Sequence, residues 1–266
     1  EVAGWDDRKE RKEWKNLGFL RPPEGDIAEL QHCSMVTLLA RAGVEVIHLS
    51  LNEHRLSLDA VYTHDASLIT DWGSLILRPA KQNRQLEGPV HEAALRMLGI
   101  PLLGRIAAPG TVEGGDVVWL DWRTLLIGRG YRTNSDGIEQ IRSFLGPKGI
   151  TVYTAPLLHG NGPDACLHLM SLVSLLDERT ALADLPRLAV ETVELFLGRG
   201  FRLIEIDPEE RDTLACNVLS IDGHHLLALE ENRRTNRILA NAGFEVLTFP
   251  GSEIALNGNG GPTCLT

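Results

Sequence analysis

The chain has 266 residues, 43% hydrophobic and 23% charged, with 26 basic against 36 acidic side chains for a net charge of −10. A chain of this length and mix buries a substantial core without disulfide or metal staples. The acidic balance argues against nucleic-acid and anionic-membrane partners and suits a small cationic ligand. No apolar run reaches the length of a membrane span. The four cysteines, Cys33, Cys166, Cys216 and Cys264, form no CxxC pair and no zinc-finger spacing. That usage predicts a reducing, cytoplasmic setting with mostly inert thiols.

Residues 1–24 are charged and irregular, a surface segment with a helical stretch predicted over Asp6–Trp14. Beyond it one unit recurs. An amphipathic segment ends at a glycine, and a short apolar strand follows. The segments are Met35–Ala42, His91–Leu98, Gly137–Leu145, Val190–Leu197 and Thr235–Ala242, closed by Gly43, Gly99, Gly149, Gly200 and Gly243. Buried strands are expected directly after each glycine, as in Val44-Glu45-Val46-Ile47 and Phe244-Glu245-Val246-Leu247. Apolar stretches between the units read as strand pairs. Ala66–Leu77 turns at Asp71–Ser74, Asp116–Gly128 at Asp121–Arg123, Cys166–Ala183 near Asp177–Arg179, and Asn217–Leu229 at Asp222-Gly223. No linker divides the chain, so the expectation is a single α/β domain over residues 1–266, built from five similar units with helices outside strands.

Polar residues fall at matching places in these units. Asp65, Glu113, His168 and Asn217 each precede or open a strand pair, and Cys264 lies where a last strand would complete the first unit. A repeat arranged around an axis would bring equivalent positions together. A thiolate is a strong nucleophile once its pKa is lowered. His168 can move protons near neutral pH, and Glu113 can orient and charge-stabilise its imidazole. A further carboxylate, Asp65, would repel the oxyanion of an acyl substrate. It suits a guanidinium, a planar cation that pairs with carboxylates through two parallel hydrogen bonds. Each residue alone also has a plain structural reading: a buried inert thiol, a core histidine, a turn before a strand.

The combination Tyr62-Thr63-His64-Asp65, Glu113-Gly114-Gly115-Asp116, Arg132-Thr133-Asn134, Leu167-His168-Leu169 and Gly260-Gly261-Pro262-Thr263-Cys264 resembles the guanidino-group modifying enzymes of the pentein fold. The likeness runs from about Leu30 to Thr266 and is strongest to the dimethylarginine dimethylaminohydrolases, with arginine deiminase-like features at the C-terminus. It implies a five-bladed pseudo-symmetric α/β propeller. It also implies a hydrolase acting on a C–N bond of a substituted guanidine, most readily methylated arginine to citrulline and an alkylamine. Cys264 would attack the guanidinium carbon to give a covalent thiouronium, His168 would protonate the leaving amine and then activate water, and Glu113 would support His168. Asp65 and Asp59 would hold the guanidinium, and Arg84 and Arg132 would meet the substrate's α-carboxylate. Tyr62, Asp116, Asn217 and Asn259 complete the expected substrate-binding set.

Two departures stand out. His64 and Asn259 occupy positions where the resembled family carries acids. Less negative charge there would favour a bulkier, less strongly paired or neutral ureido substrate. The alternatives are an arginine deiminase or citrulline hydrolase with the same residues, a papain-like or amidase-like cysteine enzyme, and a non-catalytic binding protein of the same fold. No metal or organic cofactor is expected, because thiol, imidazole and carboxylates suffice. The expected partner is a small molecule, with self-association into a homo-oligomer left open.

Overall fold

The computed structural model describes residues 14–49, 56–160, 162–163 and 167–266. The expected helix over Asp6–Trp14 lies outside them except at its end, where Trp14–Leu17 forms a single helical turn. Five longer helices follow: α1 (Gly25–Arg41), α2 (Glu87–Met97), α3 (Ser135–Leu145), α4 (Val190–Gly198) and α5 (Arg233–Asn241).

The glycines that close the five units share one conformation. Gly43, Gly99, Gly149, Gly200 and Gly243 all have positive φ, between 77° and 102°. After each, the next N–H reaches back to a carbonyl of the preceding helix: Val44 to Leu39, Ile100 to Leu95, Ile150 to Leu145, Phe201 to Phe196 and Phe244 to Leu239. This left-handed cap satisfies carbonyls that a helix end would otherwise leave bare. A Cβ there costs on the order of 1 kcal/mol, so the recurring glycine has a backbone cause.

Twelve strands form four three-stranded sheets among the described residues. The first two sheets are β1 (Ser67–Thr70), β2 (Gly73–Ile76) and β3 (Leu102–Arg105), then β4 (Val117–Asp121), β5 (Thr124–Arg129) and β6 (Thr151–Pro156). The other two are β7 (Val173–Leu175), β8 (Thr180–Ala183) and β9 (Arg202–Glu205), then β10 (Leu219–Ser220), β11 (His225–Leu229) and β12 (Glu245–Phe249). In each sheet the first two strands form an antiparallel hairpin, and the third returns through a helix to lie parallel to the second. The middle strand is thus covered on both sides, and β2 and β8 are buried at every residue. That explains why the middle strands read as continuous apolar runs rather than alternating ones.

Chain contacts divide the protein into two compact units, Glu1–Ile47 with Met170–Leu265, and His48–Leu169 with Thr266. In the second, Leu75, Ile106, Val117, Leu125, Ile127, Ile138, Ile141 and Leu145 make one core between the first two sheets and α3. In the first, Leu176, Leu182, Ile206, Val218, Leu226, Ala228, Leu239 and Phe244 make another.

Three expectations change. The segments after the glycines are not buried strands: β3, β6, β9 and β12 are edge strands with mostly half-buried or exposed residues, and Val44–Ile47 forms no strand, with Ile47 54% exposed. Cys264 is not on a strand either, because residues 252–259 and 262–265 are turns. Pro262 has no N–H for a ladder, and the glycines around it weaken one. Finally, α1 starts ten residues before the expected Met35. Its buried positions are Gly25, Ala28, Gln31, Met35 and Leu39, a helical spacing interrupted to the eye by a polar residue. Gln31 is buried because its Oε1 accepts from the Glu253 and Ile254 N–H groups.

Candidate active site

The His48–Leu169 unit assembles a buried acid–imidazole cluster. Glu113 leads into the 3-10 turn Gly114–Asp116 ahead of β4 and is fully buried. Its Oε2 lies 2.7 Å from His168 Nε2. Its Oε1 accepts from the Ala80 N–H at 2.9 Å and lies 3.5 Å from Arg132 Nη1. Burial alone would raise the Glu113 pKa, but the hydrogen bond and charge of His168, with help from Arg132, hold it below the ordinary carboxylate value. The glutamate is therefore an anion able to fix the His168 ring and stabilise its protonated form.

The two glycines of Glu113-Gly114-Gly115-Asp116 are required by space. A Cβ on Gly114 would stand 2.0 Å from the His64 carbonyl oxygen, and one on Gly115 would stand 2.5 Å from His168 Nδ1. The Gly115 N–H also donates to Asp65 Oδ1 at 2.9 Å. Asp116 follows, completely buried, with Oδ1 accepting from the N–H of Leu169 at 2.9 Å. Burial raises its pKa to about 6, against the opposing pull of His168 and a hydrogen bond with the Thr133 side chain. The same Thr133 hydroxyl accepts from the Glu113 N–H at 3.1 Å. One hydroxyl thus joins the backbone of Glu113 to Asp116, which in turn holds the residue after His168. Asp116, expected to bind substrate, instead braces the acid–imidazole pair.

Asp65 is placed beside this pair. It, Glu113 and His168 offer atoms that lie within 4.8 Å of one another, a spacing that a metal ion could also exploit. Asp65 Oδ2 is 2.6 Å from Arg84 Nη1. Burial works against its ionisation, but His168, Arg84 and the Gly115 N–H lower its pKa well below the usual range. Arg84, expected at a substrate carboxylate, is directed elsewhere. Its Nε and Nη2 grip both oxygens of Glu87 at 2.8 Å, and Nη2 also donates to the Tyr62 carbonyl at 2.9 Å. Only 3% of Arg84 is exposed. Tyr62 therefore acts through its carbonyl. Asp59, expected on the guanidinium with Asp65, is paired with Lys81 Nζ at 2.8 Å. His64 is half-buried, its Nδ1 3.3 Å from the Thr266 carbonyl, and burial lowers its pKa despite Asp65. It is a neutral neighbour, adding no second positive charge where a cation would bind.

The other unit holds the thiol. Cys264 is half-buried, and Asn217 Nδ2 lies 3.2 Å from its sulfur. Asn217 Oδ1 accepts from the Thr263 N–H at 3.0 Å. A Cβ on Gly261 would stand 2.5 Å from that same oxygen, which explains the glycine. Asn217, expected to touch substrate, is thus a clamp on the cysteine loop. Cys216, by contrast, is buried with its thiol pKa pushed well up by burial, and is inert. Asn259 is exposed, with φ of 61° and its amide donating to the Gly18 carbonyl at 3.4 Å. Its role is a left-handed turn, which Asn tolerates, rather than a contact with the thiol or Asn217.

Sequence reasoning missed Glu87, Thr133 and Glu253. Glu253 is buried, accepts from the Glu24 N–H at 2.8 Å and from Asn257 Nδ2 at 2.6 Å, and pairs with Arg21, which ties the segment leading to Cys264 down. A lone acid in Gly251-Ser252-Glu253-Ile254-Ala255-Leu256 was the available signal.

Residues 24–266 match the family model described as N,N dimethylarginine dimethylhydrolase, eukaryotic. The chain is 32% identical over 187 residues to an N(G),N(G)-dimethylarginine dimethylaminohydrolase of Streptomyces coelicolor, covering 70% of this chain and 66% of that one. The enzyme of that name from Pseudomonas aeruginosa is 27% identical, over 89% of this chain and 86% of its own. A solved structure of the Pseudomonas aeruginosa enzyme, a mutant complexed with citrulline, superposes with a TM-score of 0.78 at 27% identity, over 92% of this chain and 89% of that one. The N-terminal domain of ArgZ, an arginine dihydrolase of Cyanobacteria, reaches 0.80 at 21% identity over 95% and 89%, a likeness of fold.

Proposed function

The chain belongs to the N,N dimethylarginine dimethylhydrolase family, and from that premise we propose that it hydrolyses methylated arginine to citrulline and an alkylamine through Cys264. The observation that carries the reading is the buried cluster of Asp65 and Glu113 around His168, two carboxylates held below their ordinary pKa at one imidazole. Such a cluster favours a cation and penalises a developing oxyanion, so it fits a guanidinium and not an ester or amide.

In this reading the Cys264 thiolate adds to the guanidinium carbon, forming a C–S bond. His168 gives its proton to the departing nitrogen, the C–N bond breaks and the alkylamine leaves. The neutral imidazole then takes a proton from water, whose oxygen adds to the thiouronium carbon. Collapse breaks the C–S bond and returns the thiolate, and the adduct's hydroxyl proton passes to solvent, leaving the neutral ureido product and a protonated His168. Glu113 stabilises the imidazolium in both halves, and Asn217 steadies the sulfur when it is anionic. Asp65 faces the substrate cation with Arg84 fixing its orientation. Carboxylate recognition is assigned to Arg132 on the resemblance of Arg132-Thr133-Asn134, while four hydrogen bonds hold Arg84 to Asp65, Glu87 and the Tyr62 carbonyl. No step calls for a metal or an organic cofactor. The matching strand order of four sheets and the fifth glycine-capped helix, α1, support a five-bladed propeller that works as a single catalytic domain.

The test is incubation with arginine, monomethylarginine, dimethylarginine and citrulline, following amine, ammonia and ureido product. Dimethylarginine should be turned over by the wild type and not by Cys264→Ser. Wild-type turnover in that variant would overturn the mechanism. Ammonia from arginine as the dominant product would move the reading to a deiminase. Turnover of none of the four would leave a binding protein.

A further inference from the structure

At the hairpin turn between β10 and β11, two histidines and a glutamate present ligand atoms within 4.8 Å of one another: His224, His225 and Glu245. None of them enters the proposed reaction. His225 opens β11 and Glu245 opens β12, and the two are register partners across the parallel ladder. His224 sits in the turn, its ring centroid 5.1 Å from that of His225. All three are exposed or half-exposed.

Two features separate this cluster from a chance surface ion pair. First, His225 is held from behind. Its Nδ1 lies 2.7 Å from Asp222 Oδ2, while Asp222 Oδ1 accepts from the N–H groups of His224 at 2.9 Å and His225 at 2.7 Å. The aspartate is therefore fixed by the turn backbone, and it fixes the ring. An imidazole that donates one nitrogen to a carboxylate and turns the other outward is the arrangement proteins use behind a metal-bound histidine. Second, the outward Nε2 is 3.5 Å from Glu245 Oε2. A charge-assisted hydrogen bond would close to about 2.8 Å. Two ligands at about 2.05 Å from a tetrahedral zinc ion stand about 3.35 Å apart. The gap matches a shared cation better than a shared proton.

We propose that His224, His225 and Glu245 form a surface site for a zinc-class divalent metal, with Asp222 as the positioning residue behind His225. Two imidazoles and one carboxylate are a donor set that borderline transition metals prefer over magnesium or calcium. Three protein ligands leave the fourth position to water or to a side chain from another molecule. The metal would clip the turn to the start of β12.

Zinc titration of the full chain by calorimetry tests this at neutral pH. The expected result is a one-to-one component that His225→Ala removes and that Asp222→Asn weakens about tenfold or more, as loss of a positioning carboxylate does. Glu245→Gln should also weaken it. The component should persist in His168→Ala, which separates it from metal held at Asp65, Glu113 and His168. Circular dichroism of the zinc-free variants should match the wild type, since the side chains are exposed. An unchanged isotherm in both His225→Ala and Glu245→Gln, or a component lost only in His168→Ala, would overturn the site, as would the lack of any zinc binding.

Discussion

The Asn217 side chain holds Cys264 by both of its ends: the amide nitrogen lies 3.2 Å from the sulfur, and the amide oxygen accepts from the neighbouring Thr263 N–H at 3.0 Å. Asn217 is 4% exposed and has little freedom to turn away. The position of the Cys264 sulfur thus depends on one residue 47 positions earlier in the chain.

Replacing Asn217 by Ala should therefore act on the thiol before it acts on the fold. A hydrogen bond to a charged group contributes about 1.5–3 kcal/mol. Loss of that donor should lower kcat about 10–100-fold and move the pH dependence of Cys264 alkylation upward. Iodoacetamide labelling followed by mass spectrometry of the Cys264 peptide reads this directly, and excludes the exposed Cys33. An alkylation profile identical to the wild type would mean that the contact is purely structural.

Arg84 separates two readings of one arginine. As an anchor for a substrate carboxylate, its loss would raise KM and leave the fold alone. As the buried partner of Asp65 and Glu87, its loss strands two carboxylates, at a cost of about 3–5 kcal/mol. Arg84→Ala should accordingly unfold at much lower urea than the wild type, whereas Arg132→Ala should raise KM more strongly than Arg84→Lys does. A raised KM with unchanged urea midpoint in Arg84→Ala would restore the anchor reading.

Much of this was legible in the chain. The five glycines announced five helix ends, and all five adopt the left-handed cap. The four hairpins fall where alternating turn residues and apolar runs placed them. The strands expected for the fifth unit, at Val44–Ile47 and around Cys264, do not form among the described residues, because the Gly- and Pro-rich end of the chain supplies turns instead. Gln31 hid the first ten residues of α1 because its polarity is satisfied by distant N–H groups that no local pattern records. Roles at the site divide similarly. Glu113 and His168 pair as their types implied. Sequence order cannot tell whether an arginine faces a ligand or a glutamate three residues on, and Arg84 chose Glu87.

Asp116 yields a pH-dependent prediction. Its folded pKa, raised to about 6 by burial, lies above the ordinary aspartate value. For a raised acid, the stabilising contribution is present below the unfolded pKa and is lost as pH rises through the folded one. Two pKa units correspond to about 3 kcal/mol. Asp116→Asn keeps an oxygen for the Leu169 N–H and never ionises. Its stability relative to wild type should therefore improve by about 1.4 kcal/mol between about pH 5 and about pH 8 in urea melts, the rest of the loss falling between the unfolded pKa and about pH 5. An equal difference at both pH values would mean that Asp116 does not titrate in the folded protein.

Gly115 offers the sharpest separation of activity from stability. Its φ is not left-handed, so an alanine there meets no backbone strain of its own. The new methyl would instead stand 2.5 Å from His168 Nδ1 and 3.2 Å from Asp65 Oδ1. The imidazole must move, and its 2.7 Å bond to Glu113 must lengthen or break. A displacement of about 1 Å in a reacting group costs on the order of 100-fold in rate. Gly115→Ala should thus lose about 100-fold or more in kcat while its melting temperature falls by only a few degrees, the amount expected for roughly 1–2 kcal/mol of local overpacking. Gly146→Ala is the control, because nothing lies within 4 Å of its added methyl. It should leave kcat unchanged. Wild-type turnover by Gly115→Ala would show that the position of the His168 ring does not limit the reaction.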